Sequence, residues 1–215
     1  MNNVNLEEMR NEIITDFSKA WELNDKAHRI EHFDNVFKCG LYINEKLGLG
    51  YHPSLILLTA FFHDMFSWSR FNHHQLSSEW IKTTDYHIIA SQPPEARSLI
   101  AIGCMEHRAS RTEPFSCEFG ELMSSADREM PGDVFAMVER AVKFRMARGM
   151  SREEAVGPAV EHIKEKYGHS GYARYPEMYL KVFGGELEEQ RLTIAELSPF
   201  AFKPNFKIED YRDRR

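Results

Sequence analysis

The chain has 215 residues, 42% hydrophobic and 12% aromatic, which is enough apolar material for a sizeable core and excludes wholesale disorder. Lys and Arg number 27 against 33 Asp and Glu, a formal charge of −6 without a long basic run, so an extended nucleic-acid surface is not expected. The longest uncharged apolar stretch, residues 55–62, is too short to span a bilayer, and the opening residues lack signal-peptide character, so a cytoplasmic setting is expected.

Residues 6–23 carry Ile13, Ile14, Phe17 and Trp21 at helical spacing. A second helix is expected over 27–47, where Phe33, Val36, Phe37 and Leu41 step by three and four before Leu47 and the stop at Gly48. Pro53 and Ser54 open a third, 55–64, apolar nearly all round and therefore central. Further helices are expected over 75–90, 94–108, 118–127, 133–148, 151–167 and 175–191. Breaks are marked by Gln92-Pro93-Pro94, Pro131-Gly132, residues 168–171 and Gly184-Gly185. Ser151 with Glu154 reads as a capping box. Alternating strand patterns are scarce, and the expected fold is all-α. Cys39, Cys104 and Cys117 lie in apolar surroundings with no CxxC pair, as small core residues do. Phe200, Phe202 and Phe206 should pack a C-terminal tail onto the body, because such rings are costly in water.

The ten histidines are the unusual feature. His28 and His32 share a helix face, and His32 lies at the edge of the buried stripe. His63 and Asp64 finish the most apolar helix, which needs a partner or an ion to bury such a pair. Asp127 ends the run Leu122-Met123-Ser124-Ser125-Ala126 in the same way, and His107 ends residues 99–106. Each group terminates a core-facing run, which points to one shared polar centre of the kind that holds metal in helical proteins. The plainer alternative is a set of buried polar groups that pair only with each other. Imidazole and carboxylate together favour Mn, Fe, Co, Ni or Zn over calcium. His52, His162 and His169 are expected at the surface or satisfied in the core. Arg108, Arg111 and Arg128 flank the centre, as phosphate contacts or as solvated helix-end charges.

His32, the pair His63-Asp64, and Asp127 within Ser125-Ala126-Asp127-Arg128 resemble the H…HD…D signature of the HD-domain superfamily of metal-dependent phosphohydrolases. The strings Ala27-His28-Arg29-Ile30-Glu31-His32-Phe33, Thr59-Ala60-Phe61-Phe62-His63-Asp64-Met65 and Asn72-His73-His74-Gln75-Leu76-Ser77-Ser78-Glu79 are similar to its successive elements, over residues 27–127. The resemblance implies one HD-type helical bundle over 1–190, with residues 191–215 as a packed extension. It implies His32, His63, Asp64 and Asp127 as ligands of one divalent ion, with Asp64 also orienting the water that attacks a phosphate ester. Some members add two His before the last Asp. His74 (or His73) and His107 are the candidates here, as ligands of a second ion or as substrate-phosphate contacts, and His87 could replace His74. The expected substrate is a nucleotide or another small phosphate ester. The alternatives are a di-iron oxygenase of the same superfamily and a nucleotide-binding regulatory module without turnover.

Overall fold

The computed structural model describes residues 5–24 and 30–202, so His28, Phe206 and the start of the second expected helix lie outside the described residues. Among the described residues there are ten α-helices, one short 3-10 helix and no strand, so the fold is all-α. None of these helices is long and apolar enough to cross a membrane. The chain divides into two compact units, one from Met1–Met130 with Arg174–Val182, the other from Pro131–Ala173 with Phe183–Arg215. The expected boundary near residue 190 falls inside a continuous helix, Glu177–Ala195.

The first unit holds α1 (Leu6–Trp21), α2 (Ile30–Leu47), α3 (Pro53–Phe62), α4 (His73–Thr83), α5 (His87–Ala90), α6 (Pro94–Glu106) and α7 (Glu118–Ala126). At its centre is α3, with Pro53 in the first turn and His52 capping its N-terminus from the ring onto the Ser54 N–H. From Ile56 to Phe62 every residue of α3 is buried, and none is charged. Helices α1, α2, α6 and α7 pack around it. Trp21 of α1, Phe33 of α2 and Phe61 of α3 meet edge to face or tilted, with ring centroids 5.0–6.0 Å apart. Two glycines set how closely the helices approach. A Cβ on Gly40 of α2 would stand 2.6 Å from Ile56 Cγ2, and one on Gly103 of α6 would stand 2.6 Å from Thr59 Cγ2. Both glycines therefore let helices that carry centre residues lie against α3.

The continuous helix expected over 75–90 is interrupted. After α4 the chain turns extended at Thr84 (φ −63°, ψ 144°), and the Thr84 hydroxyl accepts from the Tyr86 N–H. Arg97 stabilises the break by donating to the carbonyls of Ile81 and Thr84, both at 2.6 Å. A β-branched pair, Thr83-Thr84, is a weak place to continue a helix, and the long-range arginine decides where it ends.

The second unit holds α8 (Val134–Met146), α9 (Arg152–Tyr167), the larger part of α10 (Glu177–Ala195) and the 3-10 turn Pro199–Phe202. Asp133 caps α8, and Ser151 with Glu154 forms the expected capping box at α9. Val138, Val142, Ala159, Val160 and Ile194 are fully buried together, with Ala201 and Phe202 in the same cluster. Phe200, by contrast, is exposed. The expected break at Gly184-Gly185 does not occur, because α10 runs through both glycines. Each interior glycine costs about 1 kcal/mol relative to alanine, which the burial of Phe183, Leu187 and Ile194 along the same helix offsets.

Candidate metal centre

Three helices of the first unit end on a residue of one cluster. His63 is the C-cap of α3, His107 of α6 and Asp127 of α7. The last carbonyls of a helix have no partner within it, and two of these are met by the capping rings themselves. His63 Nδ1 lies 2.8 Å from the Ala60 carbonyl, and His107 Nδ1 lies 2.7 Å from the Cys104 carbonyl. A carbonyl only accepts, so Nδ1 carries a proton in both rings, and Nε2 of each ring is the atom turned to the centre, free to present a lone pair once it gives up any proton it holds. One hydrogen bond thus ends the helix, fixes the tautomer and aims the ring.

His32, in the first turn of α2, is oriented by a carboxylate. Its Nδ1 lies 2.8 Å from Glu129 Oε1, while Asn35 Nδ2 donates to Glu129 Oε2 at 3.2 Å. Glu129 adopts a left-handed backbone (φ 56°) just after α7, which turns its side chain back toward α2. His73 opens α4, with Nδ1 3.3 Å from the Arg70 carbonyl.

The inward-facing atoms form two groups. In the first, His32 Nε2 and His63 Nε2 are 3.3 Å apart, and each is 3.3 Å from Asp127 Oδ1. Asp64 Oδ2 lies 3.5 Å from His63 Nε2 and 3.9 Å from His32 Nε2. In the second, His73 Nε2 and His107 Nε2 are 3.2 Å apart and lie 3.3 and 3.4 Å from the other oxygen, Asp64 Oδ1. Asp64 therefore turns one oxygen to each group. Its backbone is held by Asn24, whose amide donates to the Asp64 carbonyl at 3.0 Å.

These donors fit a metal. Two ligand atoms about 2.1 Å from one ion stand roughly 3.0–3.4 Å apart at octahedral or tetrahedral angles, the spacing found among His32, His63 and Asp127 and among His73, His107 and Asp64 Oδ1. Paired Nε2 lone pairs at 3.2–3.3 Å repel unless a proton or a cation lies between them. Three helix C-termini add partial negative charge in the same place. His32, His63 and Asp127 have donor atoms mutually close enough for one ion, as do His63, Asp64 and His107.

Protonation follows the charges. Burial pulls His32 down, but hydrogen bonds to Asp127 and Glu129 outweigh it and raise its pKa to about 9. Burial likewise opposes protonation of His63, yet the Asp64 charge and the Asp127 contact lift it to about 10. Burial alone would raise the two carboxylates; instead His63 and its neighbours hold Asp64 and Asp127 well below the usual carboxylate range. His73 goes the other way, to about 4, because burial and the nearby His107, Arg108 and His74 outweigh attraction to Asp64.

The structure thus brings together His32, His63, Asp64, His107 and Asp127 of the expected residues. It does not bring in His74. Of the adjacent pair it is His73 that faces Asp64, while His74 Nδ1 is buried with no hydrogen-bond partner among the described residues. The reason is helix geometry: neighbouring residues point about 100° apart, so one helix start directs only one of the two rings inward. His87 is also elsewhere, exposed and 2.9 Å from Glu12 on α1. Glu129 was not among the expected residues. No periodicity marks it, because it acts from an irregular turn, and only its place two residues after Asp127 hints at a role. Comparison with protein-family models, curated proteins and solved structures finds no match to this chain.

Proposed function

We propose that the chain is a metal-dependent phosphohydrolase of the HD-domain type, acting on the phosphate ester of a nucleotide or another small molecule. The observation that carries this reading is the division of Asp64 between two sets of inward-aimed imidazoles. His32, His63, Asp64 and Asp127 would hold one divalent transition ion, and Asp64, His73 and His107 a second. A cation so held lowers the pKa of water toward neutrality and withdraws charge from phosphoryl oxygens, which is the chemistry that phosphate-ester hydrolysis needs.

The chain's own groups prepare that chemistry. Glu129 fixes the tautomer of His32, as a carboxylate behind a ligating imidazole does. Arg128 Nη1 donates to Asp127 Oδ2 at 3.1 Å, leaving Oδ1 directed at the imidazoles. His73, with its pKa near 4, is neutral at physiological pH and offers a lone pair. Access is one-sided: His63, Asp64 and His107 side chains are at most 5% exposed, whereas His32, His73 and Asp127 are 12–17% exposed. A phosphate ester approaches past the latter three.

The test is a phosphate-release screen over nucleoside mono-, di-, tri- and cyclic phosphates with Mn, Fe, Co, Ni and Zn. Metal-dependent release that a chelator abolishes supports the reading; no release with any metal overturns it. The shared carboxylate also suits the di-iron oxygenase alternative. Anaerobic iron loading followed by oxygen and optical spectroscopy separates the two, since an oxygenase consumes oxygen and a phosphohydrolase does not.

A further inference from the structure

Beside the centre, still within the first unit, lies a cavity of about 240 Å3 lined by four arginines, Arg108, Arg111, Arg128 and Arg174. Its size is below the ~300–1,000 Å3 that encloses a whole small-molecule ligand, so it suits one end of a substrate. Only one carboxylate, the exposed Glu113, lines it.

The arginines are held in place by groups that leave positive charge over. Arg108 Nη1 donates to the Phe71 carbonyl at 3.0 Å, and Arg111 Nη2 donates to the Pro114 carbonyl at 2.6 Å. Arg111 is also paired with buried Glu106 at 3.1 Å, and its guanidinium lies 5.7 Å from the Phe115 ring centroid. Arg111 Nε is buried and has no hydrogen-bond partner among the described residues. Among those residues neither Arg108 nor Arg174 meets a carboxylate at ion-pair distance. Arg128 connects the cavity to the centre. Its Nε donates to the Arg174 carbonyl, and its Nη1 reaches both the His107 carbonyl (3.2 Å) and Asp127 Oδ2 (3.1 Å). Guanidinium forks in a confined space, with donors to spare, match the oxygens of a phosphate group.

We propose that this cavity is an anion subsite for a second phosphate group, linked to the one at the metal centre, so that the substrate carries two or more contiguous phosphates. This rests on the phosphohydrolase reading above, and it narrows the substrate class to oligophosphates such as nucleoside di- and triphosphates.

The test compares the metal-loaded wild type with Arg108→Ala and Arg174→Ala by calorimetric titration of tripolyphosphate and of orthophosphate. Each variant should weaken tripolyphosphate binding about tenfold or more while orthophosphate stays within about twofold. Unchanged tripolyphosphate affinity in both variants, or equal weakening of both anions, overturns the subsite. Arg174 is exposed, so Arg174→Glu, checked by an unchanged melting temperature and metal content, keeps the test decisive if Arg108→Ala does not fold. Failure of the hydrolase reading looks different: no phosphate ester is turned over by the wild type, yet tripolyphosphate binding still depends on the arginines. That result leaves the anion subsite standing.

Discussion

The two halves of the centre use the same ring atoms in opposite electrostatic surroundings. His32 and His63 face Asp127, one oxygen of Asp64 and, behind His32, Glu129; their pKa values rise to about 9 and about 10. His73 and His107 share only the other oxygen of Asp64, with Arg108 close by, and the pKa of His73 falls to about 4. Imidazoles alone thus do not determine what a cluster attracts; the number of carboxylate oxygens around them does. On this comparison, the proposed function makes the first half the tighter site for a divalent ion and the second half the weaker, and both affinities should be readable by titration.

The most damaging single change is at the residue the halves share. Asp64→Ala should abolish activity and drop bound metal below one ion per chain, with helical content by circular dichroism unchanged. Loss of the helical signal would instead make the carboxylate chiefly structural. Changes on either side of Asp64 should then separate the halves. His107→Ala should lower a stoichiometry of two ions to one, read by plasma emission on dialysed protein. Glu129→Gln should leave the stoichiometry at saturating metal intact but weaken the tighter ion about 10–100-fold, because His32 loses the carboxylate that orients it. If Glu129→Gln affects only the weaker ion, the ranking of the halves is wrong.

A pH titration sharpens the same contrast. In chelator-treated protein, His32 and His63 bind protons more tightly folded than unfolded, where their usual pKa is 6.5. Their contribution to stability is therefore fully present below about pH 6.5 and is lost as pH rises through 9 to 10. At the acid end the lowered carboxylates contribute stability above their usual range and lose it as pH falls through their depressed values. His73, lowered to about 4, removes stability as pH falls below 6.5. The melting temperature of metal-free protein should thus decline from about pH 7 to 10, and bound metal should flatten that decline by taking the place of the protons. Equal slopes with and without metal would show that the first half is not where the cation sits.

Much of this was legible in the sequence because helix ends announce themselves. An apolar run such as Leu55–Phe62 that stops at His63-Asp64 must deliver those groups to the interior, and Leu122–Ala126 does the same for Asp127. What was not legible depends on long-range or irregular contacts. The break after Thr83 needs Arg97, fourteen residues further on, to satisfy the freed carbonyls. The passage of α10 through Gly184-Gly185 depends on burial that local propensity does not contain. Glu129 reaches His32 only because its backbone turns left-handed after α7.

The choice between His73 and His74 has the smallest expected effect and tests the geometry most directly. Both rings belong to the start of α4, so sequence spacing does not separate them. Their surroundings do. His73 Nε2 is 3.3 Å from Asp64 Oδ1, whereas His74 is pushed down from its usual pKa by burial and then by Arg108, His107 and Arg111, with no carboxylate among the causes. A ring in such a cationic setting gains nothing from adding a metal ion. His74→Ala should therefore keep both ions and change kcat/KM by no more than about twofold, the effect of a substitution away from the reacting groups. His73→Ala should lose the weaker ion as His107→Ala does. The reverse pattern, with metal lost in His74→Ala and retained in His73→Ala, would require α4 to start about 100° further round its axis than it does here.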